Sequence, residues 1–325
     1  MDRRGPRALG FAAALLALAG GAMAAGDVLR AERWLAPGAD KVAFLTRQPV
    51  ECLALPADPQ ARLSVEIGRA AFRSPTLLGG QAARSGVACE TCHRNGRTNP
   101  DFHFPGVSGP PGTADVTSSL FSTHRGDDVF NPKPIPDLGG PKAGLRIDQD
   151  RKAAALEPFI HGLVTQEFDG AEPPPAVLKG LADYVRAISP AACPKALDTS
   201  IHPADLVADA RRALDAAEAL SNRGDRAGAD AMVQAARAPL FLIDERYSGP
   251  ALAADRARLR ETDHALLDLR EALRSEAPDA QAKLARARAG LAPMGAALAR
   301  HQARSLFDPA RLAAALDGRL PRRPS

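Results

Sequence analysis

Two cysteines and a histidine, Cys89, Cys92 and His93, stand together in the stretch GVACETCHRNG, residues 86 to 96. At this spacing they could support three kinds of chemistry: thiol–disulfide exchange, zinc binding and covalent attachment of a haem. Residues three apart lie on one side of a helical turn, so both sulfurs can reach one edge of a planar ring. His93 can then offer a nitrogen to a metal ion at the centre of that ring.

The flanking sequence favours haem attachment. A thioredoxin-like pair should follow a strand, whereas residues 79 to 88, GGQAARSGVA, are rich in glycine and alanine. A structural zinc site needs further ligands at matched spacing, and no second close pair of cysteines exists. C-x-x-C-H is the signature of c-type haem attachment and arises by chance in about one in a thousand sequences of this length and composition. We therefore predict one haem c, bound through thioethers at Cys89 and Cys92, with His93 as an iron ligand.

The N-terminus has the order of a secretory signal peptide. A short basic segment ending at Arg7 precedes an apolar run over residues 8 to 19, and small residues follow. This order predicts a signal peptide over residues 1 to 24, cleaved near Ala24. The alternative is a membrane anchor, but a span needs about 20 apolar residues and this run is shorter. The mature protein is therefore expected in the periplasm, with no membrane span.

Composition narrows the class of protein further. The net charge of +4 is mild, and no basic cluster is interleaved with aromatic residues, so no nucleic-acid partner is expected. Aromatic residues make up 4% of the chain and alanine is abundant, which favours helices. The length suggests two domains. In an oxidising compartment the two isolated cysteines, Cys52 and Cys193, are expected to form a disulfide; the alternative is a pair of free thiols.

Two helical patterns flank the haem motif. Residues 66 to 72 read EIGRAAF, with Gly68 and Phe72 one turn apart. Residues 173 to 189 read PPPAVLKGLADYVRAIS, where prolines start a helix and apolar residues follow at helical spacing. This arrangement resembles the class I cytochrome c fold, in which the first and last helices cross. The resemblance implies that Gly68 and Phe72 meet Leu181 and Tyr184; two ordinary amphipathic helices of another all-α domain are the alternative.

The segment IGRAAFRSPTLLGGQAARSGVACETCHRNG is similar to one branch of these proteins, the bacterial di-haem cytochrome c peroxidase and methylamine-utilisation superfamily. The similarity covers roughly residues 60 to 190 and includes Ser85 ahead of the haem motif. Members of that branch carry two C-x-x-C-H motifs, whereas this chain has one. The resemblance therefore implies a haem domain but not the di-haem peroxidase reaction.

The sixth ligand of the iron is the most open part of the site. Methionine is common in cytochromes c, but the methionines after the signal peptide, Met232 and Met294, lie beyond the predicted haem domain. In the class I fold the distal ligand precedes the final helix, and His161 occupies that region between apolar residues. We predict His161 as the second metal ligand. The alternatives are His103, His124, or an open position, in which case His161 would be a core histidine.

The C-terminal part has a different pattern. Residues 193 to 200 are interpreted as a linker, and four amphipathic segments joined by short turns follow. Pro239 is expected to kink or break the second of these segments. Four leucines seven apart mark the third, and this could indicate a coiled coil, but mixed charges beside them favour an antiparallel bundle; they are Leu252, Leu259, Leu266 and Leu273. Structural support or docking of a redox partner are its expected roles, since only one Glu-x-x-His pair, Glu261 and His264, could serve a metal site.

The predicted architecture is all-α: a signal peptide over residues 1 to 24, a cytochrome c-like haem domain over 25 to 195, and a helical bundle domain over 196 to 325. The predicted function is one-electron transfer by a monohaem c-type cytochrome with a redox partner protein. Two alternatives remain open. One is a peroxidase-like haem enzyme with an open distal site, and the other is a haem-based sensor or binding module.

Overall fold

The computed structural model describes residues 29 to 117, 120 to 139, 154 to 193 and 198 to 318. The predicted signal peptide lies outside these ranges. Within them the chain is mostly helical, as predicted, and its strands form short two-stranded sheets. The α-helices are α1 (Lys41–Thr46), α2 (Pro59–Phe72), α3 (Gly80–Ser85), α4 (Cys89–Cys92), α5 (Leu156–Gly162), α6 (Pro175–Ala187), α7 (Pro203–Ser221), α8 (Arg226–Arg246), α9 (Ala253–Arg274), α10 (Ala280–His301) and α11 (Pro309–Leu316).

Three antiparallel strand pairs form within the described ranges, and one of them joins segments distant in the chain. The strands are β1 (Arg47–Pro49), β2 (His93–Arg94), β3 (Arg97–Thr98), β4 (Thr113–Ala114), β5 (Lys133–Pro134) and β6 (Asp198–Ser200). β2 pairs with β3 and β4 pairs with β5, so the residues after the cysteine motif fold back on themselves. β1 pairs with β6, so three residues of the predicted linker form a strand instead.

Helices α2 and α6 cross at two glycines. α2 begins at Pro59, and the Asp58 side chain accepts a hydrogen bond from the Ala61 amide, a standard N-terminal cap. At the crossing, a Cβ atom on Gly68 would lie 1.9 Å from the Gly180 carbonyl oxygen and 2.6 Å from the Leu181 nitrogen. The two backbones therefore touch, and no side chain fits between them.

One turn further along, the rings of Phe72 and Tyr184 lie 5.0 Å apart between centroids. The predicted contact of Gly68 and Phe72 with Leu181 and Tyr184 is therefore confirmed. The sequence analysis omitted Gly180, whose backbone is the surface that Gly68 meets.

Helices α7 to α10 form the predicted antiparallel bundle. The end of α7 meets the start of α10, where Gln281 donates to Ser221, and the start of α7 meets the end of α10, where Gln302 bonds His202. The prediction of a kink or break at Pro239 is wrong in its stronger form, because α8 continues through this buried residue. The four leucines seven apart are all buried.

The bundle packs directly on the N-terminal part. α2 contacts both α7 and α8, and one apolar cluster includes Val65 and Tyr184 from the N-terminal part together with Leu214 and Ile243 from the bundle. The predicted disulfide between Cys52 and Cys193 is formed, with Cα atoms 5.3 Å apart. None of the helices in the four described ranges combines the length and apolar character needed to cross a membrane.

Candidate functional site

The cysteine motif occupies α4, a single helical turn. Cys89 packs against the apolar cluster around α2 and α6, and Cys92 packs against a second cluster that contains Trp34, Phe102 and Phe121. The two thiols therefore stand where two apolar clusters meet. They are not joined to each other.

The apolar surroundings of these thiols disfavour thiol chemistry. Burial raises the pKa of Cys89 and of Cys92 to about 12. Both thiols are protonated at neutral pH, whereas disulfide exchange and zinc binding require a thiolate. Among the described residues, no group of three or more His, Cys, Asp or Glu side chains is placed to hold a metal ion. The donor set is therefore two thiols and one imidazole on a single turn, which suits a covalently attached metal-bearing ring better than a bare ion.

The backbone of the motif is held by a buried asparagine. The Asn99 amide donates to the Cys92 carbonyl oxygen at 3.0 Å, and its side-chain amide donates to the Thr91 carbonyl oxygen at 2.9 Å. Thr91 in turn accepts from the Ala88 amide at 3.0 Å through its hydroxyl. Asn99 is fully buried, so water does not compete for these bonds. The geometry of the cysteine turn is thus fixed from both ends.

A tight turn follows the motif at Asn95 and Gly96. Both residues have positive φ, 49° and 79°, a conformation that asparagine and glycine tolerate. The Asn95 amide donates to the Glu90 carboxylate at 2.8 Å, and its side chain donates to the Pro49 carbonyl oxygen at 2.7 Å and accepts from Arg73 at 2.6 Å. The turn allows β2 and β3 to pair directly after His93.

His93 has one ring nitrogen bonded to backbone. Its Nδ1 lies 3.0 Å from the carbonyl oxygen of Pro136, 43 residues later in the chain. A carbonyl oxygen only accepts, so Nδ1 carries the proton and Nε2 keeps its lone pair. Burial lowers the pKa of His93 to about 4, although the Pro136 carbonyl and Asp137 oppose this shift, so the ring is neutral at pH 7. A neutral imidazole oriented through Nδ1–H is the usual state of a metal-ligating histidine.

The loop that carries Pro136 is held close to the motif. Arg97 donates from Nε to both carboxylate oxygens of Asp137, at 2.9 and 2.8 Å, and Thr98 donates to the Ile135 carbonyl oxygen at 3.0 Å. Arg97 and Thr98 belong to β3, the strand paired with His93. The strand next to the histidine thus positions the carbonyl that fixes the histidine tautomer.

Aromatic and aliphatic side chains surround the motif. The Phe72 ring lies 6.4 Å from the His93 ring between centroids, and Leu77 and Ile160 pack against both apolar clusters. The two apolar clusters that contact the thiols are thus joined by these two partly buried side chains.

The structure does not bring His161 to the motif through any contact among the described residues. Its Nε2 lies 2.7 Å from the Glu172 carboxylate, and 36% of the side chain is exposed. His124 is 63% exposed and pairs with Asp169 at 2.9 Å. The His103 amide donates to the Trp34 carbonyl oxygen. Met232 and Met294, along with Glu261 and His264, belong to the bundle helices.

A buried ionic network around Glu51 lies next to the turn that follows His93. The Glu51 carboxylate accepts from Arg69, from Arg73 at 2.8 Å and from the Tyr184 hydroxyl at 2.7 Å. Burial alone would raise the pKa of Glu51, but the two arginines lower it to about 2. Because Arg73 also binds Asn95, the network links the α2–α6 crossing to the turn after His93.

Sequence reasoning missed several residues of this site. Asn95-Gly96 is a turn signal that could have predicted the chain reversal. Pro136 lies in the proline-rich stretch NPKPIPDLGG, whose role could not be deduced because its partner is distant in sequence. Glu51 and Asn99 carry no sequence signal, since single polar residues acquire these roles only through burial.

Comparison with known proteins identifies no relative. No protein-family model, no curated protein and no solved structure matches this chain. Functional interpretation therefore rests on the residues and geometry of the chain itself.

Proposed function

We propose that the protein is a monohaem c-type cytochrome that transfers single electrons. Cys89 and Cys92 would hold the porphyrin through thioethers, and His93 would bind the iron through Nε2. The observation that carries the proposal is the hydrogen bond from His93 Nδ1 to the Pro136 carbonyl oxygen. This bond leaves the lone pair of Nε2 available to a metal ion in an apolar setting.

The chain supplies position, burial and ligand basicity. A bound haem would supply the reversible ferric–ferrous couple. Burial holds His93 neutral and the Pro136 carbonyl orients its ring, while the apolar side chains around α4 exclude water, which tunes the potential of such a centre. Proton transfer is not required of any side chain, so a carrier needs no catalytic residue.

Export to the periplasm and a redox partner protein belong to the same proposal. The signal-peptide order of residues 1 to 24 supports export. The disulfide between Cys52 and Cys193 supports an oxidising compartment, where such bonds persist.

Expression of the full chain with and without c-type maturation machinery tests haem attachment. Purified material is expected to be coloured and to carry the added mass of one haem, which survives denaturation. Cys89→Ser and Cys92→Ser each remove one thioether and should change the haem absorption spectrum under denaturing conditions. The double variant Cys52→Ala/Cys193→Ala is the matched control, since it removes two cysteines and should keep the covalent haem. Mature protein that is colourless and lacks the mass of a haem would contradict the proposal.

An enzyme with an open haem face is the second candidate, and one observation favours it. His161 and His124, two of the histidines that could complete the iron coordination, are each bound to a carboxylate. If neither ligates, small molecules such as peroxide would reach the iron. A high-spin ferric spectrum that changes with peroxide or, after reduction, with carbon monoxide supports this enzyme. A low-spin spectrum that ignores both supports the carrier, and its conversion to high spin in His161→Ala would identify His161 as the sixth ligand.

A further inference from the structure

A cavity of about 800 Å³ lies between the N-terminal part and the bundle. Its wall includes Glu90, Thr91 and Arg94 from the cysteine motif and its flank, and residues of α2, α7 and α8. Cys89, Cys92 and His93 do not line it. The cavity is thus lined by residues other than the two cysteines and the histidine of the candidate haem site. Its volume and its place between two packed units are typical of small-molecule sites.

Two arginines line one end of this cavity, one from each part of the chain. Arg94 follows His93 and donates to the carbonyl oxygens of Phe44 at 3.0 Å and Arg47 at 2.7 Å. Arg246, the last residue of α8, donates to the Leu45 carbonyl oxygen at 2.8 Å. These carbonyls belong to the end of α1, where a cation is favourable. The two guanidinium groups therefore cap the C-terminal end of α1 with part of their hydrogen-bonding capacity.

Capping leaves their charge uncompensated. Among the described residues, no carboxylate lies within ion-pair distance of Arg94 or Arg246, whereas Arg69, Arg73 and Arg237 on the same wall each have one. Arg246 is only 6% exposed. Burial and, to a smaller extent, the neighbouring charge of Arg94 lower the pKa of Arg246 to about 10, while Glu245 opposes the shift. Two buried cations that repel each other are a costly arrangement unless an anion joins them.

Nearby acids do not fill this role. Glu90 lies on the wall and attracts Arg94 electrostatically, as do Asp101 and Asp198 more weakly. The Glu90 carboxylate, however, is bound to the Asn95 amide, and burial raises its pKa to about 7, so it is only partly charged at neutral pH.

Unpaired polar atoms point to a missing occupant. Six buried side-chain nitrogen or oxygen atoms in the described part of the chain have no hydrogen-bond partner, and four belong to residues on this wall. They are Arg246 Nε, Arg69 Nε, Arg212 Nε and Glu90 Oε2. Buried polar atoms are normally satisfied by protein, water or ligand. Arg212 Nε lies 3.8 Å from the Glu66 carboxylate and Glu90 Oε2 lies 4.0 Å from Arg73, so these two atoms face an opposite charge. Arg246 Nε has no such contact among the described residues and is available to a polar atom that is not part of the chain.

Apolar surface lies beside the two cations. Trp34, Phe44 and Phe241 line the cavity, and the guanidinium groups of Arg94 and Arg30 stack on Phe44 and Phe241 at 3.7 and 4.3 Å from the ring centroids. Each of these two rings has a guanidinium group on one face, and an inorganic anion would make no contact with the rest of the apolar wall. An organic carboxylate satisfies both, with its charge at the arginines and its body against the rings.

We propose that this cavity binds a small organic carboxylate, held by Arg94 and Arg246, with its apolar body against Phe44 and Phe241. Neither cysteine of the motif nor His93 lines this site, so the proposed binding of a carboxylate does not require an attached haem. Since Arg94 is the residue next to His93, an occupant would contact the segment that carries the histidine.

Titration calorimetry on the purified mature chain tests the site, with benzoate as the probe. Benzamide, which has the same shape without the charge, and inorganic phosphate are the comparison ligands. Arg246→Gln removes the charge but can still donate to the Leu45 carbonyl oxygen. Its matched control is Arg288→Gln on α10, which removes an arginine that pairs with Asp215 at 2.6 Å and with Glu218 at 2.5 Å; none of these three residues lines the cavity.

Benzoate is expected to bind saturably with one site, at least about tenfold more tightly than benzamide or phosphate. Arg246→Gln should weaken the binding of benzoate by about tenfold or more, and Arg288→Gln should change the affinity for benzoate by less than about twofold. Ala238→Phe is a second variant, for use if Arg246→Gln does not fold. It places a larger side chain in the cavity without changing the charge and should abolish the binding of benzoate. Equal affinities for benzoate and phosphate, unchanged binding in Arg246→Gln or Ala238→Phe, or no saturable binding of benzoate would each overturn the proposal.

Discussion

Gly68 and Gly180 bring the backbones of α2 and α6 into direct contact, so that a Cβ atom on Gly68 would lie 1.9 Å from the Gly180 carbonyl oxygen. This contact sets the distance between the two helices that support the candidate site, since Phe72 and Tyr184 follow it on the same faces. The crossing therefore leaves no room for an added atom.

Gly68→Ala should lower the free energy of unfolding by at least about 3 kcal/mol, because neither backbone can move away without disturbing the surrounding core. Gly290→Ala on α10 is the control: nothing lies within 4 Å of its added Cβ. That change should stabilise the protein by up to about 1 kcal/mol through helix propensity. Urea unfolding of both variants gives the comparison, and equal effects would contradict the crossing.

The carboxyl of Glu51 should make stability depend on acid. The pKa of Glu51 in the folded state, about 2, lies below its ordinary value of 4.5. The contribution of this carboxylate to the free energy of unfolding is therefore fully present above about pH 5 and is lost as the pH falls towards 2. Glu51→Gln is expected to cost about 3 kcal/mol at pH 7 and to flatten the stability profile between pH 2 and 5. The measurement is denaturant unfolding across that pH range.

A surface ion pair provides the control for Glu51. Glu276 pairs with Arg226 at 2.6 Å, and both side chains are more than half exposed. Glu276→Gln should change stability by less than about 1 kcal/mol at any pH, because solvent screens exposed pairs. If the two glutamine variants behaved alike, the buried network around Glu51 would not be a stabilising element.

The disulfide between Cys52 and Cys193 closes a loop of 141 residues. In the loop-entropy model, removing such a bond costs about 5 kcal/mol. Cys52→Ala/Cys193→Ala should therefore unfold at markedly lower denaturant concentration than the parent protein. Adding a reductant should lower the stability of the parent and leave the double variant unchanged; a parent insensitive to reductant would show that the bond is absent in solution.

Arg97 and Asp137 should influence the haem through the Pro136 carbonyl, if the proposed haem is present. Asp137→Asn weakens the Arg97–Asp137 ion pair that holds the Pro136 loop. The His93 ring would then donate its lone pair less strongly to the iron, and the reduction potential of the haem should rise by about 30 to 60 mV. Spectroelectrochemical titration measures this shift.

The companion variant Arg97→Gln separates geometry from charge. Removing a positive charge would, by itself, lower the potential, whereas loosening the Pro136 loop would raise it. A rise in both variants identifies the carbonyl as the cause. Opposite shifts would instead indicate a through-space effect of the two charges.

Local patterns determined much of this molecule in advance. The cysteine turn, the helical character and the antiparallel bundle follow from residue spacing and short turns, because helices place residues three and four apart on one face. The contact of α2 with α6 was implied by the resemblance to the class I cytochrome c fold. The disulfide followed from the number of cysteines and the expected compartment. The helix-breaking effect expected of Pro239 was overridden by the packing of α8 within the bundle.

Only the tertiary structure decided which distant residues serve the site. Pro136 binds His93 across 43 residues, Glu51 binds Tyr184 across 133, and His161 lies against Glu172. Sequence alone predicted the residues whose chemistry depends on near neighbours, since their geometry is set by one helical turn. It could not predict partners joined by burial, because hydrogen bonds and charge compensation depend on which segments the whole chain brings together.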